Sequence, residues 1–432
     1  MGVGAVGTPG AADPGRPDGL EPAMRSRTRW RVADQILSSL TVIGLSFVVA
    51  RNAGTVPFGV FGLALLAAGF ALGLARAMIS DVFVIQFSDV LPRVRHQAAK
   101  EATGAAVVLG LGAGALCCLA ALLMPGRELG LAVFAIGLAL PALLVQDCFR
   151  FVFIAAGRPV LAITLGLACA VVQFTVVGLI ASAGHDSMFP VTAGWGASAL
   201  AVAALGCLMA GLTPSLRRAP LWFVLNRHLT VRASIEYVLG LGALYLAYCL
   251  IGAVVGLAAI GSLWAAQMFL VPAYVLITAT VSLVRPGFDA RAGRGENLVR
   301  PALLTGAGLA ALTALWGLAV SVVPDAVGMH LTGPTWEGAR TVLEPAVIGV
   351  VMLALAAGPG LALRSLGQKD GLRQVALMQA LLLLGLAMLG ADLHGVRGAA
   401  IGLVAAHLIG AVTMWVLFLT PGHRREGAPL RR

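Results

Sequence analysis

The stretch from Trp30 to Asp89 reads WRVADQILSSLTVIGLSFVVARNAGTVPFGVFGLALLAAGFALGLARAMISDVFVIQFSD, and it decides the fold. An apolar segment leads through a short turn rich in Gly and Pro into a second apolar segment. About 20 apolar residues are enough for a helix to cross a bilayer. The second segment contains Arg76 and Asp81. A charge within an apolar span costs several kcal/mol unless it faces protein or water, so both residues are candidates for a functional site.

The composition of the whole chain is that of a membrane protein. Of its 432 residues, 59% are hydrophobic and only 11% are charged, whereas a soluble domain carries about 25% charged residues. The net charge of +11 does not indicate a nucleic-acid partner, because the basic residues lie in short loops between long apolar runs. That distribution is typical of the cytoplasmic loops of a membrane protein.

The apolar runs predict an all-α polytopic membrane protein with twelve transmembrane helices. None of the runs has the alternating period of a barrel strand, so helices are the spanning structure that remains. The predicted spans are 32–50, 58–84, 102–124, 129–155, 159–183, 190–212, 233–253, 257–284, 300–323, 342–363, 374–392 and 397–419.

The basic residues predict the orientation of these spans. Of the 30 Lys and Arg residues, nearly all fall on the side that contains both termini. The exceptions are Arg76 inside a span and four residues on the far side, namely Arg51, Arg127, Arg340 and Arg397. Because cytoplasmic loops carry the excess of basic residues, we predict that both termini are cytoplasmic.

The chain also contains an internal repeat. At one constant offset, four residues of the first half align with four of the second: Asp34 with Glu236, Gly54 with Gly256, Gly59 with Gly261, and Ser80 with Ser282. The turns Gly157-Arg158 and Gly367-Gln368 align at a slightly larger offset. An even number of spans in each copy predicts parallel repeats related by an axis along the membrane normal, with the substrate path between them.

This repeat divides the chain into five predicted regions. Two six-helix bundles cover 30–212 and 233–419, and a cytoplasmic linker at 213–232 joins them. A tail at 1–29, rich in Gly, Pro, Ala and Arg, is predicted to be disordered and cytoplasmic. The basic segment 420–432 forms a second cytoplasmic tail.

Three motifs resemble a known transporter family. They are ADQILSSLTVIGLSFVVARNAG near the N-terminus, QDCFRFVFIAAGRP at the end of the fourth span, and LTGPTWEGARTVL before the tenth. Together they resemble the polysaccharide-transporter branch of the multidrug/oligosaccharidyl-lipid/polysaccharide exporter superfamily. The resemblance implies a flippase of the bacterial inner membrane that moves a polyprenyl-pyrophosphate-linked glycan by alternating access, without ATP. Membrane lipid, H⁺ or Na⁺, and glycan assembly enzymes are the further partners that it implies.

Six polar residues of the first half are candidates for the site. Arg76, Gln146 and Arg150 are the predicted substrate-binding residues, because a guanidinium matches the oxygens of a pyrophosphate in a fork geometry. The predicted ion-coupling residues are the carboxylates Asp34, Asp81 and Asp147. The three-residue spacing of Asp147 and Arg150 allows an ion pair on one helix face. The competing interpretation is that these charges form structural ion pairs and extend to the cytoplasmic surface.

Other functions stay open at this stage. A cation-coupled multidrug exporter fits the acidic residues of the first half. A membrane glycan-processing enzyme or a non-transporting partner of an export system fits less well, because the longest far-side loop, 324–341, is too short for a catalytic domain. No GxxxxGK[ST] motif is present, and the six Cys residues form no CxxC pair. We therefore expect a transporter with no cofactor and no metal site, rather than an enzyme.

Overall fold

The computed structural model describes residues 20–124, 126–182 and 187–420, and within these ranges the chain is helical without any strand. The first half contains α1 to α6: Leu20–Asn52, Thr55–Phe87, Pro92–Leu123, Arg127–Ala155, Pro159–Ser182 and Met188–Ala210. A short helix, α7, follows at Ala219–Leu225. The second half contains α8 to α13: Arg227–Val255, Leu257–Gly293, Val299–Ser321, Asp325–Thr332, Thr335–Ser365 and Lys369–Leu419.

Ten helices in this described part of the chain are long and apolar enough to cross a membrane, which confirms the all-α polytopic fold class. The longest of them, α13, reverses direction at His394 and Gly395, where the backbone leaves helical geometry. Dividing α13 there and adding the apolar stretch Ile36–Asn52 of α1 gives twelve apolar segments. Because Ile36–Asn52 is shorter than a usual span, the count of twelve spanning helices stays a prediction.

Three segments that the sequence predicts to be irregular contain helix. Helix α1 begins at Leu20, within the tail 1–29, while residues 1–19 and 421–432 of the two tails lie outside the described residues. The predicted far-side loop 324–341 contains α11 and the start of α12, and the linker 213–232 contains α7 and the start of α8. Prolines mark three of these helix starts, because Pro220 lies in the first turn of α7 and Pro324 and Pro334 directly precede α11 and α12. Proline is well tolerated where a helix begins.

Helices α2 and α9 cross backbone to backbone at two glycines. A Cβ atom on Gly59 would overlap the carbonyl oxygen of Leu257, and a Cβ atom on Gly261 would overlap that of Thr55. Thr55 and Leu257 are related by the same offset as Gly59 and Gly261. The predicted repeat therefore maps the contact of Gly59 with Leu257 onto the contact of Gly261 with Thr55. A two-fold axis produces contacts of this reciprocal kind, and the crossing therefore supports the register of the predicted repeat.

The C-terminal ends of α4 and α12 also share one geometry. Gly157 and Gly367 have φ angles of 70° and 74°, in the left-handed region that glycine tolerates. The amide that follows each glycine donates a backbone hydrogen bond, at 2.9 Å to Phe153 and at 3.0 Å to Leu363. This is the Schellman ending of a helix. It also follows Gly211 and Gly295, but only Gly157 and Gly367 stand at equivalent places of the predicted repeat. The division into two bundles of six helices stays a prediction that these matched turns support.

The crossing of α2 and α9 predicts an effect of substitution. We expect Gly59→Ala to lower the free energy of unfolding by about 1–3 kcal/mol, because the added methyl group overlaps backbone that cannot rotate away. Gly112→Ala is the control, since a Cβ atom there meets nothing within 4 Å, and alanine in a helix is favoured over glycine by about 0.5–1 kcal/mol. Thermal unfolding of the two purified variants in detergent measures the difference. Equal midpoints would show that the two helices are not in close contact.

Candidate functional site

Two arginines and two aspartates of the first half form one continuous ion-pair network. Arg76 donates from Nε to Oδ2 of Asp147 at 2.8 Å and from Nη2 to Oδ1 at 2.7 Å, which is a bidentate fork. Arg150 donates from Nη1 to the same Asp147 at 3.3 Å. Arg150 also donates to both carboxylate oxygens of Asp34, at 2.9 and 2.5 Å, and to the Asp34 carbonyl at 3.1 Å. The order of contacts is therefore Arg76, Asp147, Arg150 and Asp34.

The position of α4 among its neighbours brings these residues together. Helix α4 packs against α2, α3, α5 and α6, and its three-residue spacing puts Asp147 and Arg150 on one face. Arg76 reaches this face from α2, and Asp34 reaches it from α1. The network thus joins three helices, and the ion pair that the spacing of Asp147 and Arg150 predicts is present.

Exposure differs strongly among the four side chains. The carboxylates of Asp34 and Asp147 are each 6% exposed and Arg150 is 12% exposed, whereas Arg76 is 29% exposed. The two positive charges balance the two negative charges, which is the condition under which buried ions are tolerated. The Arg76 guanidinium also lies 5.8 Å from the ring centre of Phe151, within the range of a cation–π interaction. Arg76 is the member of the network that a ligand can reach most directly.

The other two predicted site residues are Asp81 and Gln146. Asp81 is half-buried on α2, and its charge interacts with the guanidinium of Arg76. Gln146 is half-buried on α4, and its Oε1 lies 3.7 Å from the Sγ of Cys169 on α5. The structure thus links four of the six predicted residues in one continuous network and places Asp81 near Arg76.

The linker contacts the helix that carries Arg76, which the sequence did not predict. Helix α2 contains a π-helical turn at Arg76–Ser80. The carbonyl of Met78 in this turn accepts hydrogen bonds from Trp222 Nε1 at 3.2 Å and from Thr230 Oγ1 at 3.4 Å. The short run LWFVL at 221–225 was the available signal, because it is apolar within a basic linker and too short to span a membrane.

The second half does not repeat the network. Glu236, which aligns with Asp34, is exposed and pairs with Arg232 one turn away on its own helix at 3.0 Å. Thr278, which the same offset aligns with Arg76, is also exposed. From this half, Tyr237 donates to the carbonyls of Gly69 and Phe70 on α2 at 3.3 and 3.2 Å. The charged site therefore belongs to the first half.

The contrast between Asp34 and Glu236 predicts two different losses of stability. Asp34→Ala leaves the buried guanidinium of Arg150 without its main partner, and we expect a loss of about 3–5 kcal/mol in the free energy of unfolding. Glu236→Ala removes only an exposed pair, so we expect a change of less than about 1 kcal/mol. Thermal unfolding of both variants in detergent tests this. Equal destabilisation by the two substitutions would contradict the burial of the Asp34–Arg150 pair.

No protein-family profile matches the sequence, and no curated protein matches it. The fold, however, is shared with solved membrane transporters. An inward closed structure of the lipid II flippase MurJ has a TM-score of 0.71 over 90% of this chain and 87% of its own, at 10% identity. An inward-facing multidrug resistance MATE family transporter of the MOP superfamily has a TM-score of 0.61 over 88% of this chain and 93% of its own, at 14% identity. The chain thus has the fold that a lipid II flippase and a MATE transporter of the MOP superfamily share.

Proposed function

We propose that the protein is a transporter that flips a polyprenyl-pyrophosphate-linked oligosaccharide across the bacterial inner membrane by alternating access between its halves. The observation that carries this proposal is the position, exposure and hydrogen bonding of the Arg76 side chain. It lies within an apolar helix, it is 29% exposed, and a carboxylate already holds its guanidinium in a bidentate fork. A phosphate offers the same pair of oxygen acceptors with more negative charge. The sequence resemblance supports the lipid-linked glycan as the substrate class.

The network suggests how binding and ion coupling are linked. A pyrophosphate that occupies the fork of Arg76 displaces Asp147, which keeps its bond to Arg150. Asp147 then has fewer positive contacts, and a carboxylate in that situation takes up a proton more readily. Binding of the substrate and protonation of Asp147 therefore favour each other. Asp34 and Asp81 are the other candidate coupling residues, with H⁺ or Na⁺ as the coupling ion.

A cation-coupled multidrug exporter is the second candidate, because a MATE transporter has the same fold. The pairing of the carboxylates counts against it. Asp34 and Asp147 each bind an arginine, which lowers their attraction for a cationic drug. In either case the excess of basic residues on the side that contains both termini supports a cytoplasmic location for them. Glycan assembly enzymes are the partners that the flippase proposal implies.

The lipid-linked glycans of a deletion strain distinguish the two candidates. We expect mass spectrometry of extracted polyprenyl lipids to show a complete sugar repeat that accumulates while surface polymer is lost, and the wild-type gene to reverse both changes. Unchanged polyprenyl lipids together with a higher sensitivity to cationic drugs would instead establish the exporter.

Variants of Arg76 in the same strain test the phosphate contact. We expect Arg76→Ala to abolish export at an unchanged protein level, because it removes two charge-assisted hydrogen bonds, each worth about 1.5–3 kcal/mol. Arg76→Lys keeps the charge without the fork and should give an intermediate rate. Arg127→Ala, at the exposed start of α4, is the matched control and should export normally. Normal export by Arg76→Ala would refute the phosphate contact.

Three aspartate variants identify the coupling residue. Transport by Asp34→Asn, Asp81→Asn and Asp147→Asn is compared in proteoliposomes with and without a pH gradient. We expect only Asp147→Asn to lose its response to the gradient, because Asp147 is the carboxylate that shares Arg76 with the substrate. A normal response in Asp147→Asn would exclude it, and loss in Asp81→Asn alone would assign coupling to Asp81.

A further inference from the structure

The π-helical turn at Arg76–Ser80 determines the direction in which Arg76 points. In this turn the amide of Asp81 donates to the carbonyl of Arg76, so it contains one residue more than an α-helical turn. Each residue of an α-helix advances by about 100° around the axis. If the turn became α-helical, Arg76 would rotate by about that angle relative to Asp81 and the residues after it. A rotation of this size would break the fork with Asp147.

Two side chains of the linker form hydrogen bonds with this turn. Trp222 and Thr230 both donate to the carbonyl of Met78, which lies in the middle of the turn. The indole of Trp222 also packs against Phe83 and Phe87, at ring-centre distances of 6.3 and 5.9 Å. These two rings belong to the part of α2 that follows the turn. The linker therefore contacts α2 both within the turn and beyond it.

The linker residues near this turn are buried and joined to one another by hydrogen bonds. Trp222 is only 1% exposed and Asn226 is 6% exposed. The side-chain amide of Asn226 donates to the Trp222 carbonyl at 2.9 Å, and the carbonyl of Asn226 accepts from the amide of Thr230, also at 2.9 Å. One residue thus fixes the end of α7 and the start of α8 relative to each other. Both donors to Met78 are held in position by this arrangement.

We infer that Trp222 and Thr230 are positioning residues for Arg76. They stabilise the π-helical turn and so keep the guanidinium aimed at the pyrophosphate of the lipid-linked substrate. The inference rests on the proposed role of Arg76 in phosphate binding. It gives the linker a part in substrate affinity, although neither residue is expected to touch the substrate.

Binding to the purified full-length protein in detergent tests this inference. The probe is undecaprenyl pyrophosphate, and undecaprenol, which has the same tail without phosphate, is the second ligand. Trp222→Phe keeps the ring and removes the donor, and Thr230→Val keeps the shape and removes the hydroxyl. Trp415→Phe is the matched control, because it removes a similar bond of an indole, to the Leu355 carbonyl at 3.2 Å, in the second half.

We expect the Trp222→Phe/Thr230→Val double variant to weaken binding of undecaprenyl pyrophosphate by about tenfold, since the Met78 carbonyl loses both of these side-chain donors. Binding of undecaprenol should be unchanged, and Trp415→Phe should bind both ligands as the wild type does. A general loss of structure would weaken the binding of both ligands. That result would overturn the positioning role.

Arg76→Ala serves as the reference that separates the two proposals. If Arg76→Ala loses affinity for undecaprenyl pyrophosphate while the double variant binds normally, the positioning role is refuted and the phosphate contact stands. If Arg76→Ala binds normally, the phosphate contact fails and the positioning role fails with it.

Discussion

The ion-pair network of Arg76, Asp147, Arg150 and Asp34 is the interaction on which the arrangement of the first half depends. In a bilayer an isolated charge has no water to solvate it, so each ion must find its counterpart within the protein. Asp147 meets this need for Arg76, and Arg150 carries the same chain of contacts to Asp34. Helices α1, α2 and α4 are thereby joined by charged contacts.

A network of this kind can serve stability and transport together. The two carboxylates are almost fully buried, and they anchor the inner part of the network. Arg76 at its edge is more exposed, so the proposed substrate would compete for it without dismantling the rest. The structural and the functional interpretation of these charges are therefore compatible. The buried carboxylates fit the structural interpretation, and Arg76 fits the functional one.

The sequence predicted the helical membrane fold well, because a long apolar run has only one way to satisfy its backbone in lipid. It also identified the four network residues, since intramembrane charges are few in this chain. It could not pair Arg76 with Asp147, because they lie on different helices and no local spacing relates them. The π-helical turn could not be predicted either, because the side chains that donate to it, Trp222 and Thr230, are far away in the sequence. Helices α7 and α11 were not predicted, because their 7 and 8 residues are too few to form an apolar run that spans a bilayer.

The reciprocal contact of Gly59 and Gly261 has a mechanical consequence for the proposed alternating access. Both glycines are the fifth residues of their helices, so the crossing is close to the N-terminal ends of α2 and α9. If the halves rock about this crossing, residues further along α2 move through a longer arc, and at 1.5 Å per residue Arg76 lies about 25 Å from Gly59 along α2. Rocking by about 10° would displace the level of Arg76 by about 4 Å. A small rotation at two glycines would thus become a displacement of several ångströms where the charged side chains lie.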